Sequence, residues 1–251
     1  MPTVVSFIFR LDFDRNYKLM DAPGTCFQVI KAASKGYWDD ITENPNRQFI
    51  AVRRRLDRPS RQVANFTVEA TSISGQLENE EGFEFAEADS SEYLNTIDRT
   101  VSELMTIFEI KNINRVGIRI QIVDGEQSKD FEQSVKTCST YGEYFVPAEL
   151  ADRIKIYDVS LTSIGELDHG IKFRITTGPA EAKDVVRFFA NIPMTEDDIA
   201  ARVPHITAAD IDLFEENINF TGTSLKRWFK ARKDHFQNMF AFADNVSRQG
   251  V

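Results

Sequence analysis

The chain has 251 residues, 42% hydrophobic and 27% charged, with a net charge of −9 and a pI near 5.0. That length fits one large domain or two tightly joined small ones, and the composition argues against disorder. The acidity argues against bulk attraction to nucleic acid or to an anionic membrane, leaving only a local basic patch as a route to either.

Residues Val5, Phe7, Phe9, Leu11 and Phe13 alternate with more polar neighbours, which predicts a strand with one strongly apolar face. Ala22-Pro23-Gly24 breaks the chain, and Phe27, Ile30, Lys31 and Ser34 predict a short helix ending near Lys35. Residues 48–56 and 62–73 read as two strands of a hairpin, turned by Asp57-Arg58-Pro59-Ser60. A further strand is expected through Glu84-Phe85-Ala86, after breaks at Gly75 and Gly82. Asp89-Ser90-Ser91-Glu92 is a helix start, because its oxygens accept from the open first-turn amides. Tyr93, Leu94, Ile97, Val101, Leu104, Met105 and Phe108 then share a stripe, predicting a helix from about Ser90 to Phe108.

Val116, Ile118, Ile120 and Ile122 give the clearest strand, ended by Asp124-Gly125. Helix is expected over 128–137, with another helical turn at Pro147. Residues 154–164 and 171–177 read as a strand pair around Asp168-His169-Gly170. Residues 185–191 read as an additional strand, 194–204 as a polar connector and 209–214 as a short strand. A long helix over 224–246 carries Leu225, Trp228, Phe229, Phe236, Met239, Phe240 and Ala243 on one face. The order strands, helix, strands, helix favours an α+β fold over a wound α/β fold. Its sheets would be mainly antiparallel, with a central helix and a long C-terminal amphipathic helix. The opening and closing βα pieces point to two related halves, 1–124 and 125–251, tightly joined as one globular unit.

Phe7-Ile8-Phe9-Arg10, Asn114-Arg115-Val116-Gly117-Ile118-Arg119 and Asp210-Ile211-Asp212-Leu213-Phe214 are followed by Ser224-Leu225 and a helix with His235-Phe236. Together they resemble a sporadically distributed, uncharacterised bacterial family of about this length. Its members pair an opening strand with an R-V-G-L-R-type strand and a late D-x-D strand before a terminal amphipathic helix. The stretch from Gly75 to Asp89 has no counterpart there. The resemblance implies a shared fold and transfers no activity. The family's sporadic distribution is similar to that of mobile or antiviral-defence genes.

Asp210 and Asp212 lie two apart, so on a strand both face one side. They are candidates for cation binding or acid/base work, but a strand-end salt bridge or a cap near the following turn is favoured, since a lone D-x-D lacks the further oxygens Mg²⁺ or Ca²⁺ requires. Arg115, Gly117 and Arg119 form one row, with room at the glycine for an anion between two guanidinium groups. The favoured alternative is that Arg115 and Arg119 pair across the sheet with Asp210 and Asp212.

Two basic runs stand out. Lys226, Arg227, Lys230 and Lys233, around Trp228-Phe229, look like a DNA-recognition helix, but the short helices and basic arm that accompany such a helix are missing, so a solvated face is favoured. Arg47, Arg53, Arg54, Arg55, Arg58 and Arg61 are matched by an acidic run of Glu78, Glu80, Glu81, Glu84, Glu87, Asp89 and Glu92, a pattern suited to head-to-tail association or an intramolecular clamp, with two solvated faces as the equal alternative. His169, His205 and His235 are scattered, and no nucleophile elbow, phosphate loop or zinc signature occurs. Cys26 and Cys138 lie far apart and read as buried thiols in a reducing compartment. The chain shows neither a signal-peptide pattern nor a membrane-length apolar run, so the cytoplasm is the expected location.

The leading expectation is a non-enzymatic binding or accessory protein with a protein partner or self-association, of the kind found in antiviral-defence or mobile-element systems. The second is nucleic-acid binding through the 53–61 hairpin and the 226–233 helix. The third is an enzyme acting on an anionic substrate through Arg115, Arg119, Asp210 and Asp212. No cofactor, no metal and no membrane contact is expected.

Overall fold

The computed structural model describes residues 3–44, 48–57, 60–124, 160–201, 206–220 and 223–249, with backbone alone at 87, 89, 124, 206 and 244–249. The first strand, β1 (Thr3–Asp12), buries Phe7, Phe9 and Leu11 and turns Ile8 and Arg10 the other way, as its alternation predicts. A register shift between Val4 and Ser6 breaks the alternation. It sends Val4 into the main core and Val5 to the opposite face.

Helix α1 (Tyr17–Asp21) is capped by Asn16, whose Oδ1 accepts the Leu19 N–H at 3.1 Å. Helix α2 (Pro23–Ser34) has its proline in the first turn, where no amide partner is lost, and stops at Lys35 and Gly36, both at positive φ. A meander follows: β2 (Asp40–Glu43), β3 (Phe49–Arg55), β4 (Gln62–Val68) and β5 (Ser72–Glu84). A 3-10 turn (Phe85–Ser90) leads into α3 (Glu92–Ile107), where Ser91 Oγ accepts the Leu94 N–H at 3.1 Å. Strand β6 (Asn112–Asp124) precedes β7 (Leu161–Glu166), β8 (Lys172–Ala180), α4 (Ala182–Val186), α5 (Glu196–Ala200), β9 (Ile206–Asn219) and α6 (Leu225–Gln249).

The nine described strands form one antiparallel sheet in the order β2-β3-β4-β5-β1-β6-β9-β8-β7. Its centre is the β1–β6 pair, with Phe9 opposite Ile118. β1 also pairs with β5, and β6 with β9. Helices α2, α3 and α6 cover one face. Ile30, Ile97, Leu104, Phe229 and Phe236 meet Phe7, Phe9, Phe66, Ile118 and Leu213 there, each large side chain contributing about 1.5–3 kcal/mol by burial. The Phe229 ring stands edge-on to Phe7 at 5.5 Å and to Phe85 at 5.6 Å. Among the described residues no helix is long and apolar enough to cross a membrane.

Four expectations are corrected. Gly75 does not break a strand but lies inside β5, where an added Cβ would come within 2.7 Å of the Asn65 carbonyl and the Tyr93 hydroxyl. The stretch 62–73 is two strands, because the Glu69 N–H donates to the Ser72 carbonyl at 2.8 Å and closes a tight turn. Residues 84–86 end a strand and open the 3-10 turn. Residues 185–191 form no strand: a reciprocal cap between Glu181 and Asp184 starts α4, and a second between Thr195 and Asp198 starts α5 within the expected connector. The helix expected over 128–137, the turn at Pro147 and the start of the 154–164 strand lie outside the described residues.

Candidate functional site

Strands β6, β9 and β8 turn their polar side chains away from the helices. The register sets Arg119 and Arg174 on either side of Asp212, and Gln121 and Thr176 on either side of Asp210. Arg115 Nη2 donates to Asp212 Oδ2 at 2.7 Å. Arg119 Nε donates to Asp210 Oδ1 at 2.7 Å, and its Nη2 to Oδ2, a forked pairing. The four residues singled out on these strands therefore come together as two ion pairs. The room foreseen beside Gly117 is taken by Phe214, whose ring lies 4.1 Å beneath the Arg115 guanidinium. A Cβ on Gly117 would sit 2.9 Å from Phe214 Cβ and 3.2 Å from the Leu213 carbonyl, so the glycine is what lets β9 approach this closely.

Beside these pairs lies a depression of about 130 Å³ lined by Arg119, Arg174, Thr176, Asp210 and Asp212. Arg174 is exposed and has no hydrogen-bond or ion-pair partner among the described residues. Burial raises the Asp212 carboxyl above its ordinary range, outweighing the opposing pull of Arg115 and Arg119. The hydrogen bond to Asp210 raises the Arg119 pKa. Among the described residues no three His, Cys, Asp or Glu side chains gather as metal ligands would.

Sequence reasoning missed Arg174 and its neighbour Ile164. Ile164 is directly opposite Arg174 in the β7–β8 pair and is 76% exposed. Period two put Arg174 on a polar face, but nothing in the sequence told which strand would lie beside it.

The same side of the sheet is covered at its other half. The segment 181–201 between β8 and β9 crosses there, packing Val185, Phe189, Ile192, Met194 and Ile199 on Val5 and Val63. Glu78, fully buried, accepts the N–H groups of Ala190, Asn191 and Ile192 at 2.9–3.0 Å and Asn191 Nδ2 at 2.6 Å. Arg61 donates from Nε and Nη2 to Glu80 at 2.6 and 3.0 Å, from Nη1 to the Pro193 carbonyl at 2.8 Å, and lies 3.7 Å from Asp198. At the edge of the helix face Arg53 donates to Glu92 at 3.0 Å and lies 4.2 Å over the Tyr37 ring. The opposed charge runs thus meet within the chain as a clamp.

The residues singled out for nucleic acid do not share one surface. Arg61 is buried and cannot reach a phosphate. Arg53 and Arg54 face opposite sides of the sheet, since Arg53 pairs with Ala64 of the main core and Arg54 with Val63 of the covered back face. Arg54 and Arg55 are exposed, and Arg47 and Arg58 lie outside the described residues. On α6, Arg227 and Lys230 are exposed. Lys226 Nζ donates to Asn95 at 2.7 Å, and Lys233 Nζ to the Ala86 carbonyl at 2.8 Å. No family model matches the chain, and a comparison with curated proteins finds none that matches.

Proposed function

We propose that the chain is a binding protein that docks a protein partner on the back face of β6, β9, β8 and β7. The observation that carries this reading is the unequal covering of the sheet. On the side away from the helices, one half lies beneath the 181–201 segment, while the other presents Arg119, Arg174 and Ile164 to solvent. Arginine and exposed large apolar side chains grouped on a firm sheet are what interface centres are made of.

The strand order supports a second, finer reading, that the chain is two related units, β1–β5 with α3 and β6–β9 with α6. In each, the first strand pairs with the last and the others step outward. The units differ in strand number, five against four, and in the connection into the last strand. β4 and β5 join by the tight turn at 69–72, whereas β8 and β9 are joined through the long crossing segment. Among the described residues it is the first unit that receives a cover from its neighbour.

A photo-crosslinking residue at Thr162, on the exposed back of β7, tests the reading against a control at Glu103 on α3. Expected is one captured protein, identified by mass, from position 162 and none from 103. Equal capture from both positions, or none from either in the native host, overturns it. A captured mass equal to the chain's own would make the partner a second copy.

A further inference from the structure

Resting on that docking face, we infer that the partner binds through a short segment pairing a carboxylate with an adjacent apolar side chain, and that Arg174 is its anchor. Arg115 and Arg119 are committed to Asp212 and Asp210, whereas the Arg174 guanidinium has its donors uncommitted among the described residues. Lys172 on the same face is likewise committed, to Glu216, so each of these three cations already has its carboxylate and Arg174 has none among the described residues. A single carboxylate completes the pattern, whereas a phosphate dianion would stand against Asp210 and Asp212, which line the same depression.

Ile164 supplies the apolar half of the site. It is the cross-strand neighbour of Arg174 on the same face and the most exposed of the large apolar side chains among the described residues. In the covered half Arg61 is held first by Glu80 of β5, at 2.6 and 3.0 Å, and the crossing segment adds the Pro193 carbonyl at 2.8 Å, the Met194 sulfur at 3.0 Å and the Asp198 carboxylate at 3.7 Å. An arginine on this side of the sheet there takes a carboxylate together with an apolar contact. An acidic partner segment would repeat that arrangement on Arg174, with its apolar side chain over Ile164.

The test uses the full chain labelled with ¹⁵N, with ¹³C at the isoleucine methyls. Two capped probes are titrated, acetyl-Leu-Asp-Leu-amide and acetyl-Leu-Asn-Leu-amide, with inorganic phosphate at matched ionic strength as a third arm. Expected is a saturable shift of the Arg174 Nε–H and Ile164 methyl signals with the Asp peptide, at roughly millimolar concentration for so small a ligand. The Asn peptide should bind at least about five-fold more weakly, since it lacks the charge that makes an arginine contact strong. Arg174→Gln should abolish the response and leave distant signals unmoved, and Ile164→Ser should weaken it several-fold. Equal binding of the two peptides, no saturable shift, or tighter binding of phosphate overturns the inference. If a protein captured from position 162 binds R174Q as tightly as the parent chain, the docking face stands and the carboxylate anchor falls.

Discussion

Replacing Arg61 by Met strips the Glu80 carboxylate of its guanidinium in a place where water cannot compensate. The two side chains are 6% and 1% exposed. Arg61 also holds the Pro193 carbonyl and the Met194 sulfur, so the change also loosens the crossing segment. Removing one partner of a buried pair costs about 3–5 kcal/mol, because the remaining charge stays desolvated. At about 2–4 °C per kcal/mol for a chain of this size, the melting temperature should fall by roughly 6–20 °C. The double variant Arg61→Met with Glu80→Leu should recover much of the loss, because two apolar groups of similar volume need no mutual charge compensation. Urea unfolding of parent, singles and double closes the cycle, and amide exchange at 190–192 reports whether the segment lifts before the sheet melts. A loss below about 1 kcal/mol for R61M, or a double variant as costly as the two singles summed, would refute the clamp.

The remaining expectations concern three acidic groups. Glu78→Gln turns an amide nitrogen toward donors that now meet a carboxylate, so exchange at Ala190, Asn191 and Ile192 should quicken roughly 30-fold, the equivalent of about 2 kcal/mol; unchanged protection there would contradict it. Burial foremost, with the nearby Glu43 charge, pushes the Cys26 thiol from 9.0 up to about 12. The native thiol should therefore resist a disulfide reagent at pH 8 that labels it promptly in urea, and labelling at equal rates would be the contrary result. The unfolded thiol loses its proton first, so this group's contribution to stability declines as pH rises above about 9. For Asp212 the folded pKa is raised from 3.8, so again the unfolded state ionises first. Its contribution falls as pH climbs upward from 3.8, and the penalty is complete above the folded pKa. Asp212→Asn should flatten that part of the stability curve and cost no more than about 1 kcal/mol through Arg115, which is exposed enough to hydrate; an unchanged slope against pH would argue otherwise.

The elements legible from the sequence are those whose surroundings differ on their two faces. β1, α3 and β6 each bury one face against the same core, so their periods of 2 and 3.6 residues survive in the sequence. The pairing of Arg115 and Arg119 with Asp210 and Asp212 was legible for a related reason, because alternation aligned opposite charges on two strands. β2 was not legible, being a polar edge strand with nothing buried. Nor was the crossing segment, whose Val185, Phe188 and Phe189 imitate a strand in composition while capping boxes at Glu181 and Thr195 fix short helices. The clamp was foreseen only as one use of two charge runs, since Arg61, just ahead of β4, and Glu80, on β5, are brought together by a strand registry that no local pattern reveals.

A polar sheet face in water needs no cover, so exposure alone does not mark the back of β6, β9 and β8 as a binding surface. The energetics of its charges separate it from an ordinary solvated face. The Arg115–Asp212 and Arg119–Asp210 pairs are partly exposed, and pairs of that kind contribute about 0–1 kcal/mol each. Yet Asp212 is buried enough that desolvation outweighs both nearby guanidinium groups, so its ionised form is held at a cost that the pairing does not offset. Stability would be served as well by an uncharged residue at that position. In the other half of the sheet, by contrast, the buried pair of Arg61 and Glu80 fastens a segment of the chain and has a structural task. Arg174, next to an Ile164 left in water, has none within the described residues. Their arrangement acquires a use when a second carboxylate and an apolar side chain arrive together, which is the reason for placing the partner there.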